Sequence, residues 1–300
     1  MTDYLDLIQY GSIDLQRSEE SFKNGDYNLA AFCAQQSLEK YLKAYMVKFK
    51  IFENIQQLGH LQYPTIIEKM INWMKDGIDD AEEPYRKFLK TDIEYLEFIK
   101  KILNEINDSY EKKIIFWKDS LGIPYNKQED NISKGIYAEL MKNVSKLQKS
   151  TLEFLQSDPF GIQNIDVRDL DEEQKFVIGK INSIQENMMK AAKSIDSDIS
   201  EINMIRDDIG DVFEKYAYGS GRDSFSKEET ATFQKYLKIW RSIEWMWVVI
   251  ESYPHVVISR YPIQIDGKDP ILLYEENKEN LWKLIQKIKK TCLEIKESCN

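Results

Sequence analysis

The chain is short of the residues on which many enzyme chemistries depend. Its 300 residues include two histidines, His60 and His255, and three cysteines, Cys33, Cys292 and Cys299. A zinc site or a His-dependent triad must therefore use one of these two imidazoles. The cysteines form no CxxC pair and no disulfide framework, which fits a reducing, cytoplasmic setting. No HExxH, GxSxG or Gly-rich phosphate loop occurs. Long apolar runs are missing too. The longest, Trp245-Met246-Trp247-Val248-Val249-Ile250, falls far short of the roughly 20 residues that cross a bilayer. Met1 to Tyr10 carries acids and no basic flank, unlike a secretory signal. Asp79, Asp80, Glu82 and Glu83 form the most obvious acidic group, but such a run is expected to be a solvated face. Neither a metal nor a cofactor is expected.

Helix breakers are scarce as well, with 12 Gly and 7 Pro, and most lie between long periodic stretches. What fills the space is Lys, Glu, Leu and Ile, so the fold class is all-α. The hydrophobic fraction of 42% is enough for a real core. A first helix is predicted from Asp3 to Lys23, closed by Gly25 in a left-handed conformation. Asp26 then caps a second helix from Tyr27 to Phe49. In that helix Ala30, Ala34, Leu38, Tyr41, Leu42, Tyr45 and Phe49 make one apolar stripe, and Ala30, Ala31 and Ala34 permit close approach. A third helix follows from Tyr63 to Met74. Further helices are predicted over 81–118, 131–156, 171–217, 226–251 and 275–297. Ser226 and Glu229 have capping-box spacing. Around Asp266-Gly267 the sequence fits either a short hairpin, with Ile271 to Tyr274 as its second strand, or an ordered loop.

Charge divides the chain. The formal net charge is −10. Residues 76–232 hold 22 Lys+Arg against 33 Asp+Glu, whereas the flanks hold 19 against 18. Acidity of the whole therefore does not exclude a basic site in the flanks.

The N-terminal flank reads Gly25-Asp26-Tyr27-Asn28-Leu29-Ala30-Ala31-Phe32-Cys33-Ala34-Gln35-Gln36-Ser37-Leu38-Glu39-Lys40-Tyr41-Leu42-Lys43-Ala44. This resembles the second helix of the HEPN family, named for nucleotide-binding proteins of higher eukaryotes and prokaryotes. Gly59-His60-Leu61 is similar to a degenerate form of the family's turn into the third helix. Ser259-Arg260-Tyr261-Pro262, followed by a helix, resembles the family's closing segment. The resemblance covers about half the chain. It implies an up-and-down HEPN-like helical bundle made of 1–75 and 233–300, split by an acidic, coiled-coil-like insertion of long helices over 76–232. It also implies a nucleotide or RNA ligand, a small nucleotidyltransferase as partner, as in toxin–antitoxin pairs, and a homodimer.

Many HEPN proteins resemble metal-independent ribonucleases that carry an Arg, four to six residues, then a His. Imidazole exchanges a proton with a ribose hydroxyl and Arg stabilises the phosphate. No Arg stands at that spacing before His60 or His255, so no catalytic residue is assigned and a non-catalytic module is expected. The alternatives are a helical assembly or scaffold protein, and a divergent ribonuclease without the motif. Gln36, Lys40 and Lys43 lie on one face of the second helix, and Arg260, Tyr261 and His60 could join them to hold a phosphate. The competing arrangement is an ion pair between Glu39 and Arg260, with both lysines solvated. The aromatics at helical spacing, including Tyr27, Tyr41, Tyr45 and Trp245, are expected in the core, and His255 is expected to pack locally.

Overall fold

A computed structural model describes residues 4–51, 63–78, 83–157, 245–260 and 264–299, with scattered positions between 172 and 186. The helices are α1 (Tyr4–Lys23), α2 (Tyr27–Lys48), α3 (Tyr63–Ile78), α4 (Glu83–Asp108), α5 (Tyr110–Ser120) and α6 (Lys127–Gln156). They continue with α7, described over residues 245–258, then α8 (Pro270–Glu276) and α9 (Lys278–Cys299). The only β pairing among the described residues is an isolated bridge between Ile265 and Lys268. The all-α expectation holds.

The α1–α2 hairpin follows from local chemistry. Gly25 takes a φ of +81°, open to glycine at no steric cost. Asp26 accepts from the Leu29 amide at 3.2 Å and starts α2. The two helices then pack along their length because small residues line the seam. A Cβ on Gly11 would stand 2.8 Å from Tyr41 Cδ2. Ser37 Oγ donates to the Gly11 carbonyl at 2.8 Å, and Ser18 Oγ donates to the Ala30 carbonyl at 2.7 Å.

Three expectations need correcting. The helix predicted over 81–118 is two helices. Ser109 is extended (φ −120°, ψ 117°), and its Oγ accepts from the Lys112 amide at 3.3 Å, so a serine cap interrupts a continuous helical pattern. Ile271 to Tyr274 belongs to α8 rather than to a strand, because Asp269 caps the helix and Pro270 opens it. Ahead of it, Asp266 (φ 53°) and Gly267 (φ 75°) form a two-residue turn inside the Ile265–Lys268 bridge. Finally, α7 continues past Pro254 to residue 258, although proline removes one helical hydrogen bond. The expectations for Asp158 to Gly161, the connector at 218–224 and the Ser226 cap lie outside the described residues, as does the 171–217 helix apart from isolated positions.

The chain groups into two compact units. One comprises Met1–Met70, Ile99–Tyr137 and Trp245–Asn300; the other comprises Ile71–Phe98 and Ala138–Glu244. Residues 99–137, inside the stretch that charge sets apart, thus group with both flanks. In the first unit α2 is central, packed by α1, α8 and α9. Ala30, Leu38, Tyr41, Leu42, Ala44, Tyr45 and Met46 are all buried. Separate segments of this unit are tied by Lys118, a fully buried ammonium. It donates to both Glu129 carboxylate oxygens, at 3.0 and 2.9 Å, and to Asp266. Burial opposes its charge, but the hydrogen bonds to Asp266 and Glu129 more than offset that and raise its pKa. Glu129 also closes a capping box with Asn126 at the start of α6. In the second unit Phe88 stacks on Phe154 with ring centroids 4.7 Å apart, and Lys87 pairs with Glu153 at 2.6 Å.

Candidate functional site

Helix α2 leaves one partly open stripe, running through Leu29, Phe32, Gln36, Glu39 and Lys40. These positions recur at three- and four-residue steps, so they share a face. The charged residues on it are already engaged. Lys40 forms a close ion pair with Asp14 of α1, and Arg17 approaches the same carboxylate at 3.8 Å. Lys43 is buried and pairs with Glu39 at 2.6 Å. Gln36 Nε2 donates to Gln35 Oε1 at 2.7 Å and reaches Glu39 Oε2 at 3.5 Å. Gln35 in turn donates to the Tyr63 hydroxyl at 2.9 Å. Burial, with Glu39 adding to it, pushes the Tyr63 phenol well up, so Tyr63 remains neutral and keeps its proton to donate.

Arg260 is different. It is exposed at the end of α7, and its guanidinium carbon lies 4.5 Å from the centroid of the Phe32 ring. Among the described residues no carboxylate pairs with it. An arginine on an aromatic face keeps its in-plane N–H donors free. The structure therefore brings Arg260 to α2 one helical turn before Gln36, and the pairing with Glu39 is replaced by stacking on Phe32. Lys40 and Lys43 share the helix with Gln36 but spend their charge on Asp14 and Glu39. His60 and Tyr261 lie outside the described residues. Phe32 was overlooked in the sequence because it reads as one more core aromatic; its signal was the four-residue step to Gln36.

The other histidine is structural. His255 is buried, with Nδ1 at 2.8 Å from the Tyr274 hydroxyl and Nε2 at 2.8 Å from Ser120 Oγ. Trp117 Nε1 donates to the same Tyr274 hydroxyl at 2.9 Å, and Ser120 Oγ donates to the Trp117 carbonyl at 2.8 Å. One assignment satisfies every group: Tyr274 donates to Nδ1, and Nε2–H donates to Ser120. Burial lowers the imidazole pKa to about 3. A neutral, enclosed His255 is not placed to exchange protons with a bound RNA. Among the described residues no group of His, Cys, Asp and Glu is placed to hold a metal ion, and no helix is long and apolar enough to cross a membrane.

Fold and stripe together define a helical bundle organised around a central helix, with a guanidinium delivered to that helix from a distant turn. The family model for the HEPN domain matches residues 4–113, so this part of the chain is similar to HEPN domains. The match takes in α1 to α4 and the start of α5. It supports a nucleotide- or RNA-related module. Neither a curated protein nor a solved structure matches the chain.

Proposed function

We propose that the chain is a HEPN-like module that binds a nucleotide or RNA without cleaving it, through Arg260 over Phe32 with Gln36 beside them. Tyr261 and His60 are proposed to complete the site, and Lys40 and Lys43 to hold its shape through Asp14 and Glu39. The observation that carries this reading is the exposed Arg260 guanidinium, stacked on α2 and unpaired with any carboxylate among the described residues. Arg260 and the final helix stand outside the matched residues, so their membership of the same bundle, with the acidic stretch as an insertion, is part of the proposal. A small nucleotidyltransferase is the proposed protein partner, on the strength of the HEPN resemblance.

Fluorescence anisotropy with a labelled single-stranded RNA tests the site. A charge-assisted hydrogen bond contributes about 1.5–3 kcal/mol, so Arg260→Ala is expected to weaken binding about tenfold or more. Arg260→Lys should recover only part of it, since a lysine cannot present a planar fork. Equal affinity for wild type and Arg260→Ala would refute the site.

A homodimer is a second reading, favoured by the outer face of α1. Leu5, Tyr10 and Ile13 are 53%, 58% and 39% exposed, and no charged residue stands between Asp6 and Asp14.

A further inference from the structure

The corner where α1 turns into α2 carries a second grouping, distinct from the Arg260 stripe. Phe22 at the end of α1 lies with its ring centroid 5.2 Å from Tyr27, edge to face, and 4.7 Å from Trp282 of α9. All three rings are half-buried. Core tyrosines such as Tyr41, Tyr45 and Tyr274 are, by contrast, closed off almost completely. The corner trio is thus a partly open aromatic platform.

Its surroundings are polar in a specific way. Lys278, Trp282, Gln286 and Lys289 follow one another along one face of α9. Lys289 is occupied by Glu19 of α1 at 2.7 Å. Between that ion pair and the platform, the Gln286 side-chain nitrogen is buried and has no acceptor among the described residues, although buried amide donors are almost always satisfied. Lys23 follows Phe22 in α1, and Lys278 and Lys283 flank Trp282 along α9; all three are exposed, and among the described residues none of them has a carboxylate partner. Lys287 and Lys290, further along the same helix, each do. Open aromatic surface and unneutralised cations thus meet at one corner. Hydrophobic packing alone calls for the first of these and not for the second.

We propose that this corner binds single-stranded nucleic acid. One base stacks on the Phe22–Trp282 platform, and the flanking phosphates lie against Lys23 and Lys278. Stacking on an aromatic beside a cationic track is how single strands are held without sequence preference. The ligand class rests on the reading above, but the residues are separate.

Anisotropy with a fluorescein-labelled oligouridylate, measured across a salt series, tests the proposal on the full chain. Trp282→Leu is expected to weaken binding at least about fivefold, the low end for losing one stacked base. Lys23→Gln with Lys278→Gln removes two phosphate contacts, and the slope of log affinity against log salt should fall by about 1.4. The lysines are exposed, so this double variant keeps the proposal testable if Trp282→Leu fails to fold. Unchanged affinity and salt slope in the lysine variant overturn the corner site. A loss in Arg260→Ala alone also overturns it, while sustaining the Arg260 site. A loss in the corner variants alone supports the corner and overturns Arg260. An oligouridylate that does not bind the wild type overturns the corner proposal.

Discussion

Burying a histidine neutral, as His255 is, couples the fold to pH. The folded chain binds its proton only near pH 3, whereas an unfolded imidazole takes one near pH 6.5. Below about pH 6.5 the unfolded state therefore holds more protons, and stability falls as pH drops, by up to about 1.4 kcal/mol per pH unit. Glu251 works in the opposite sense, because burial raises its carboxyl pKa and favours the protonated folded form as pH falls. The comparison that isolates His255 is thus between variants. Urea denaturation at pH 7.5 and pH 5 should show a larger loss of stability for wild type than for His255→Gln. The same loss in both would mean that the imidazole is not held neutral. Tyr45 makes the complementary point, since its hydroxyl is buried without a partner among the described residues, a cost that the packing around α2 outweighs.

Between α1 and α2, the fit depends on what is missing from one side chain. Gly11 lets the Tyr41 ring lie where a methyl group would collide, at 2.8 Å. Gly11→Ala is expected to destabilise by about 1–3 kcal/mol through overpacking, read as a lower urea midpoint with unchanged helical circular dichroism; an unchanged midpoint would show that α1 can shift freely along α2. The hairpin was legible because each device is local: Gly25 and Asp26 mark the turn, and the alanines mark the buried stripe. The break at Ser109 had a local signal in Asn107-Asp108-Ser109, outweighed by the long periodic patterns before and after it. Lys118 was hidden for a different reason. Lysine is ordinarily a surface residue, and its partners Glu129 and Asp266 come from separate parts of the chain. The engagement of Lys40 by Asp14 and the seat of Arg260 on Phe32 were equally out of reach, since each depends on two elements meeting, which spacing within one helix does not report.

For the molecule as a whole, charge and packing divide the chain differently: charge sets apart 76–232, while packing places 99–137 with the flanks. The uncharged stretch of α1 between Asp6 and Asp14 belongs to that packed unit. Its Leu5, Tyr10 and Ile13 motivate a test at the level of assembly: sedimentation velocity at two concentrations should show a dimer for wild type and a monomer for Ile13→Lys, and a monomer for wild type at both would remove the dimer. The central position of α2 has a further consequence, for the order of events during synthesis. Its hairpin partner α1 is made just before it, but the helix that covers its other side comes far later: Ser37 lies beside Cys292, 255 residues away in sequence. Contacts so distant in sequence form late, and domains assemble as the chain emerges. The nascent chain therefore carries α2 with one apolar flank uncovered until α9 arrives, and that interval is when this surface is most exposed to aggregation.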